Sequence, residues 1–350
     1  MDDLLNYLLT FYKPQEFPAL YQQMKRYSEE KPFCDLKILD GTPVFRNTLA
    51  KYLPLLAGGA DLTVAFGENI PPAPGIEEVL ARFHIPLADA EMLKQEYDVV
   101  MDCAGALRHT PARLGRVELT RSGIYYYNDA VQPVFLADGG KIKHIETALG
   151  TGDGFHRAMC QAGHGDLQGK KIVVFGCGKV GRGVAMYALW HGAETVVADL
   201  PEKVKPPKGA RLVDFRQKEL VEKELSDAWC MVSATGVRHA LQGCFDAGTV
   251  CKSNILIANM GVEDEFGPEI PAERVLHNKT PLNFILEEPT HIKFIDPTMA
   301  LSNSGALKLL RESLPPGIVY PDDDDETPIL EDVRRYGMIT VELSKMEMMQ

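Results

Sequence analysis

Three glycines and one acid are spaced for a single task. In GKKIVVFGCGKVGRGVAMYALWHGAETVVADL (169–200), glycines stand at 176, 178 and 181, and Asp199 follows Gly181 by 18 residues. The short apolar run before them, Ile172 to Phe175, is rich in β-branched residues and reads as a strand buried on both faces. A helical apolar pattern comes next, then a second apolar run, Thr195 to Ala198, which Asp199 ends. Each part has a role in holding a dinucleotide. Gly176 permits the tight turn, Gly178 lets the backbone approach a pyrophosphate, and Gly181 lets the helix pack on the strand. Lys179 and Val180 open that helix, whose N-terminal N–H groups face the phosphates. Asp199 accepts from a ribose hydroxyl and repels a 2′-phosphate, so the expected cofactor is NAD rather than NADP. Cys177, inside the loop, fits as a small packing residue.

The remaining elements must position these groups and supply something to act on. Strand Cys230 to Ala234 runs into Thr235-Gly236, and strand Asn254 to Ala258 runs into Asn259-Met260-Gly261. Loops at the carboxyl ends of strands line the ligand crevice of a doubly wound sheet, which puts Thr235, Gly236 and Asn259 near the nicotinamide half. Earlier in the chain, residues 1–30 read as helical, and strands at Asp35–Leu39, Asp61–Phe66 and Tyr97–Met101 alternate with helices at Thr48–Ala57 and Ile76–Phe83. Such alternation means a mostly parallel sheet.

The expected fold is therefore α/β, with two Rossmann-like doubly wound domains, parallel sheets and an interdomain cleft. A substrate-type domain is expected over 1–150 and an NAD-binding Rossmann domain over 151–305, with 306–350 returning to the first. A helix starting near Thr151 or Asp153 carries the chain across. Leu301–Gly305 reads as a polar turn before a short helix, Ala306–Ser313. The acidic run Asp322–Glu326 reads as a solvated loop rather than a metal site, and no metal is expected.

Composition narrows the classes. A net charge of −12 on 350 residues argues against a nucleic-acid footprint, which would be basic on one face. No apolar run approaches the roughly 18 residues of a membrane span. The N-terminus, MDDLLNYLLTFYKPQ, is acidic and lacks a basic n-region, so no signal peptide is expected. Seven cysteines, odd in number and without a CxxC pair, fit a reduced, cytoplasmic protein.

With these residues in hand the chain resembles the NAD-dependent S-adenosylhomocysteine hydrolases. VVFGCGKVGRGVA (173–185) is similar to that family's GYGDVGKGCA loop, MVSATG (231–236) to its TTTG loop, and ANMGVEDE (258–265) to its NIGHFDVE. LSNS (301–304) resembles MSNS near the family's cofactor, which implies a cofactor contact for Asn303. In the first domain MDCAGAL (101–107) resembles DDGGDL, and YYYNDAV (125–131) resembles the VNDSV segment.

The departures fall on the chemistry. The family's acid/base positions correspond here to Thr42, Cys103, Pro133 and Val262, and its glutamate to Glu118, one place off. Losing one acid/base residue costs about 10²–10⁴-fold in rate, so the resemblance implies the cofactor and the two-domain fold rather than the hydrolysis.

A dehydrogenase needs only a hydride acceptor and one group to handle a proton. The candidates are Asp129, whose segment lines the substrate site in the resemblance, His144 beside the expected hinge, and His109 after the third strand. Each has an ordinary alternative role, as a helix cap or a surface or packing histidine. The expected activity is an NAD-dependent oxidoreductase on a small polar substrate in the cleft. A divergent S-adenosylhomocysteine hydrolase and a non-catalytic NAD-binding relative stay open beside it. The hydrolase relatives assemble, and the apolar N-terminal helix (Leu4, Leu8, Tyr12) offers a contact face, so a homo-oligomer is expected.

Overall fold

The apolar runs become strands because only a sheet interior can bury both of their faces. A computed structural model, which describes residues 1–67 and 70–348, contains eleven of them among the described residues. In chain order they are β1 (Lys37–Asp40), β2 (Asp61–Val64), β3 (Tyr97–Asp102), β4 (Ala112–Glu118), β5 (Pro133–Leu136), β6 (Lys171–Phe175), β7 (Glu194–Asp199), β8 (Arg211–Asp214), β9 (Cys230–Ser233), β10 (Leu256–Asn259) and β11 (Gly317–Val319). They form two wholly parallel sheets. The chain divides into two compact units: Met1–Lys143 with Ile292–Thr340, and His144–His291 with the closing segment from Val341.

The second unit has strand order β10-β9-β6-β7-β8. From β6 at the centre the chain winds outward to β8, then jumps to β9 and winds the other way. That reversal opens a crevice at the carboxyl ends of β6 and β9. Along β6 the side chains alternate between two cores. Ile172 and Val174 pack with Phe155 and Val184 on one face, while Val173 and Phe175 pack with Val221 and Phe245 on the other. The helix into this unit begins earlier than Thr151. A π-helical turn, Ile145–Gly150, runs straight into the α-helix Thr151–Gln161.

The first unit has order β11-β5-β4-β3-β1-β2 and reverses between β1 and β3. One of its strands, β4, carries no clear apolar run. In β4, ARLGRVE, arginines interrupt the pattern, and parallel neighbours rather than local propensity hold it extended.

Two segments fold otherwise than their polar composition predicts. Leu301–Gly305 is not a turn: it lies within a 20-residue helix, Ile292–Arg311, whose Met299, Leu301 and Asn303 are buried. The chain therefore re-enters the first unit at Ile292 rather than at 306, and the last two residues of the 306–350 segment lie outside the described residues. Nor is Asp322–Glu326 a solvated loop. It is the N-cap and first turn of the helix Asp323–Tyr336, with Asp322 accepting from the Asp324 and Asp325 N–H groups at 3.0 and 3.1 Å. Carboxylates are favoured at a helix N-terminus, and Lys308 Nζ neutralises Asp322 and Asp325 at 2.7 and 2.9 Å. Among the described residues no helix is long and apolar enough to cross a membrane.

Candidate functional site

The three glycines after β6 are required for different reasons. Gly176 has φ +93°, and a Cβ there would stand 2.5 Å from the Ala234 carbonyl oxygen. A Cβ on Gly181 would stand 2.0 Å from the Gly176 carbonyl oxygen, so this glycine is fixed by helix–strand packing. Gly178 is different. Its φ of −68° suits any residue, and a Cβ there would meet nothing within 4 Å. No protein atom demands glycine at this exposed N-cap position, whereas a ligand lying against the backbone would. The helix it starts, Lys179–Trp190, has no side-chain cap at Gly178. Lys179 and Val180 are half-buried in its first turn, with Val180 packed on the core beneath.

Asp199 ends β7 beside this loop. Its Oδ2 accepts from the Cys177 N–H and its Oδ1 from the Leu200 N–H, both at 2.6 Å. These bonds fix the carboxylate, and each oxygen retains a further lone pair for a hydroxyl donor. Burial pushes the Cys177 thiol up, which suits a packing role. The loop, the uncapped helix and the anchored acid fit a dinucleotide with a free adenosine ribose 2′-hydroxyl.

The loops after β9 and β10 are held by two buried residues. Glu265 is fully buried and accepts from Thr235 N–H at 2.8 Å and Gly236 N–H at 2.6 Å. It was legible only as one acid among three in VEDE. Asn259, expected at the cofactor, is also fully buried and uses both amide atoms inside the protein. Its Oδ1 accepts from Ser233 Oγ (2.8 Å) and Gly261 N–H (2.9 Å), and its Nδ2 donates to the carbonyls of Gly261 and Lys279 at 2.8 and 2.5 Å. Asn259 is thus a positioning residue for the loop rather than a surface that meets a ligand. Thr235 and Gly236 remain at the crevice, half-buried and exposed, and Val262 is 88% exposed. Asn303 belongs to the other unit. Buried in the first unit, it donates to Gln23 Oε1 at 3.1 Å and to the Lys51 carbonyl at 3.0 Å.

In the first unit, β1, β3 and β4 all end in buried acids. Asp40 pairs with the buried Lys51 and accepts from Thr42 N–H at 2.8 Å. Asp102 accepts from Cys103 N–H (2.7 Å), Leu107 N–H (2.9 Å) and the Tyr127 hydroxyl. Glu118 accepts from the N–H groups of Ala104 (3.0 Å), Gly105 (3.1 Å) and Thr120 (2.7 Å). Burial first, and then the nearby Asp102, raises the Glu118 carboxyl above its ordinary range. The carboxylates at these strand ends thus tie down loops.

Of the three acid/base candidates, Asp129 lines a cavity of about 340 Å³ shared with Arg108, Arg116 and Tyr125–Tyr127. His109 is exposed beside Arg108, and His144 is exposed where the second unit begins. Nothing in the first unit brings Asp129 and His109 onto a common atom.

No protein-family model matches the chain. It is similar to curated adenosylhomocysteinases. The Thermoplasma acidophilum enzyme is 23% identical over 317 residues, 82% of this chain and 75% of that one. The Aquifex aeolicus enzyme is 26% identical over 314 residues, 80% of this chain and 72% of that one. The Nostoc sp. enzyme is 26% identical over 280 residues, 71% of this chain and 64% of that one. The resemblance read in the loops is therefore borne out over most of the chain. Among solved structures, a dipicolinate synthase chain from Bacillus halodurans superposes with a TM-score of 0.50 at 11% identity, over 80% of this chain and 99% of that one. That likeness is one of fold.

Proposed function

We propose that this adenosylhomocysteinase-like chain binds NAD(H) at the β6 loop of its second unit and is an oxidoreductase acting on a small polar molecule. The observation that carries the reading is Gly178, a glycine for which no protein neighbour gives a reason, at the head of an uncapped helix and beside an anchored Asp199. Bound there, the nicotinamide would accept or return a hydride. The chain's own residues do the rest of the work. Gly176 and Gly181 set the loop's path, and Asp199 takes the ribose hydroxyls and disfavours a 2′-phosphate. Glu265 and Asn259 hold the loops after β9 and β10 in place, so that Thr235 and Gly236 present a fixed edge. Asp129 lines a cavity with two arginines, and it carries the proton-handling proposal ahead of His144 and His109.

Hydrolysis of S-adenosylhomocysteine is disfavoured. Thr42 and Cys103 are buried in the loop network, Pro133 starts β5, and Val262 stands in solvent. None of the four can run an acid/base elimination at neutral pH. Calorimetric titration with NAD(H) and NADP(H) tests the cofactor, with tighter NAD(H) expected. Equal affinity, or tighter NADP(H), removes Asp199 from its role. A thiol-reagent assay for homocysteine released from S-adenosylhomocysteine is expected to stay at background with NAD present. Robust release would mean that the missing acid/base groups are supplied from elsewhere.

A further inference from the structure

We infer that the Arg108–Arg116 cavity of the first unit is a binding site for a small oxyanion, a carboxylate or phosphate group on a molecule of modest size. Two parallel strands are usually joined by a helix that covers the sheet face between them. The β4–β5 connection, residues 119–132, holds only the short 3₁₀ turn Arg121–Tyr126. Beneath it is a hollow of about 340 Å³, the size of a small-molecule pocket. Arg116 sits on β4, an internal strand, where an apolar residue would ordinarily fill the face.

Both guanidinium groups are held in place without being neutralised. Arg116 donates through one nitrogen to the Thr110 carbonyl and, at 3.3 Å, to the Arg108 carbonyl, and its guanidinium lies 5.9 Å from the Tyr127 ring centre. Arg108 donates through one nitrogen to the Gly105 carbonyl at 2.9 Å and lies 4.7 Å from the Tyr126 ring centre. Among the described residues the remaining N–H groups of each have no protein acceptor, and neither arginine forms an ion pair. The buried Asp102, which shares Tyr127 with Arg116, is already occupied by two backbone N–H groups and the Tyr127 hydroxyl. A planar donor fork aimed into a hollow suits an oxyanion, which it can hold through paired hydrogen bonds. In a chain of net charge −12, two guanidinium groups against the single carboxylate of Asp129 in one hollow are a local reversal of sign. Asp129 lines the same hollow and opposes the anion, which gives the test a second arm of opposite sign. The inference stands whether or not the second unit binds a dinucleotide.

The probes are succinate and inorganic phosphate, titrated calorimetrically into the full chain at low salt. Saturable binding of either is expected, weakening as sodium chloride is added. Binding of succinate alone identifies a carboxylate site, binding of phosphate alone a phosphate site, and binding of both a general oxyanion site. Arg116→Gln and Arg108→Gln should each weaken binding by about tenfold or more, the usual consequence of losing charge-assisted hydrogen bonds. Asp129→Asn should tighten it severalfold by removing a like charge. A purely structural role for the arginines would lower the melting temperature and leave Asp129→Asn without effect on either anion. Absence of saturable binding of both anions to the unmutated chain overturns the inference. So does binding that neither arginine variant weakens.

Discussion

The two sheets reverse direction at comparable points, yet they treat the backbone there in opposite ways. In the second unit the loop after β6 keeps an exposed glycine with open space in front of it, and the helix that follows has no side-chain cap. In the first unit, Asp40, Asp102 and Glu118 bend back onto the N–H groups of the loops they precede. A carboxylate at the end of a strand can therefore either anchor a crevice or close it. Asp199 anchors, because its two bonds leave the Gly178 backbone facing outward. Asp102 closes, because its oxygens take up Cys103, Leu107 and Tyr127. The ligand-facing charge of the first unit is displaced from the strand ends to Arg108 and Arg116.

The sharpest way to break the comparison is at Gly178. Gly178→Ile should reduce NAD(H) affinity by about 100-fold or more, since the side chain fills the space a pyrophosphate needs, while the melting temperature stays unchanged. Gly181→Ala should do the reverse and destabilise the fold by several kcal/mol, because its Cβ would meet a carbonyl oxygen at 2.0 Å. Calorimetric titration and thermal melts of the two variants separate the roles. An unaltered affinity in Gly178→Ile would show that the loop is not a phosphate cradle.

A smaller effect is expected at the closed end. Tyr127→Phe removes one donor from the buried Asp102 and should cost about 1–3 kcal/mol, measured by urea unfolding. A neutral outcome would mean that Asp102 is not dependent on its partners.

The smallest effect is a pH slope, and two carboxyls, one in each unit, contribute to it with opposite sign. Asp296 in the first unit is fully buried, which pushes its carboxyl up to about 7, although it accepts from the Ala19 and Leu20 N–H groups. A carboxyl raised in the folded state binds its proton there first. Its contribution is complete below the unfolded value near 4 and is lost as pH rises towards 7, at most about 1.4 kcal/mol per pH unit. In the second unit, the Arg211 hydrogen bonds hold the Glu224 carboxyl down at about 2. That contribution is present above the unfolded value near 4.5 and is lost as pH falls towards 2. Urea unfolding at pH 4, 5.5 and 7 should show Asp296→Asn flattening the slope between pH 4 and 7. A slope equal to that of the unmutated chain would remove Asp296 as its source.

The sequence by itself determined the strand–turn–helix–strand around Gly176, Gly178, Gly181 and Asp199, since each requirement there is met by near neighbours in the chain. The two parallel sheets followed from the same local logic of short apolar runs between helical ones. What only the tertiary structure decided were the partners of polar residues. Asn259 and Asn303 look alike in a sequence, as polar residues in small loops, yet both are buried and engaged by groups distant in the chain. Glu265 became the clasp of Thr235 and Gly236 through a contact 29 to 30 residues away. The helix Ile292–Arg311 hid behind Ser302, Asn303 and Ser304, which read as a turn in the chain, whereas Gln23 and Lys51 on other elements bond Asn303 and Ser304. Arg116 on β4 gave no signal either, since an arginine facing a hollow and one facing solvent have the same neighbours in the chain. A buried polar group needs a hydrogen-bond partner, and the chain's order does not say who that partner is.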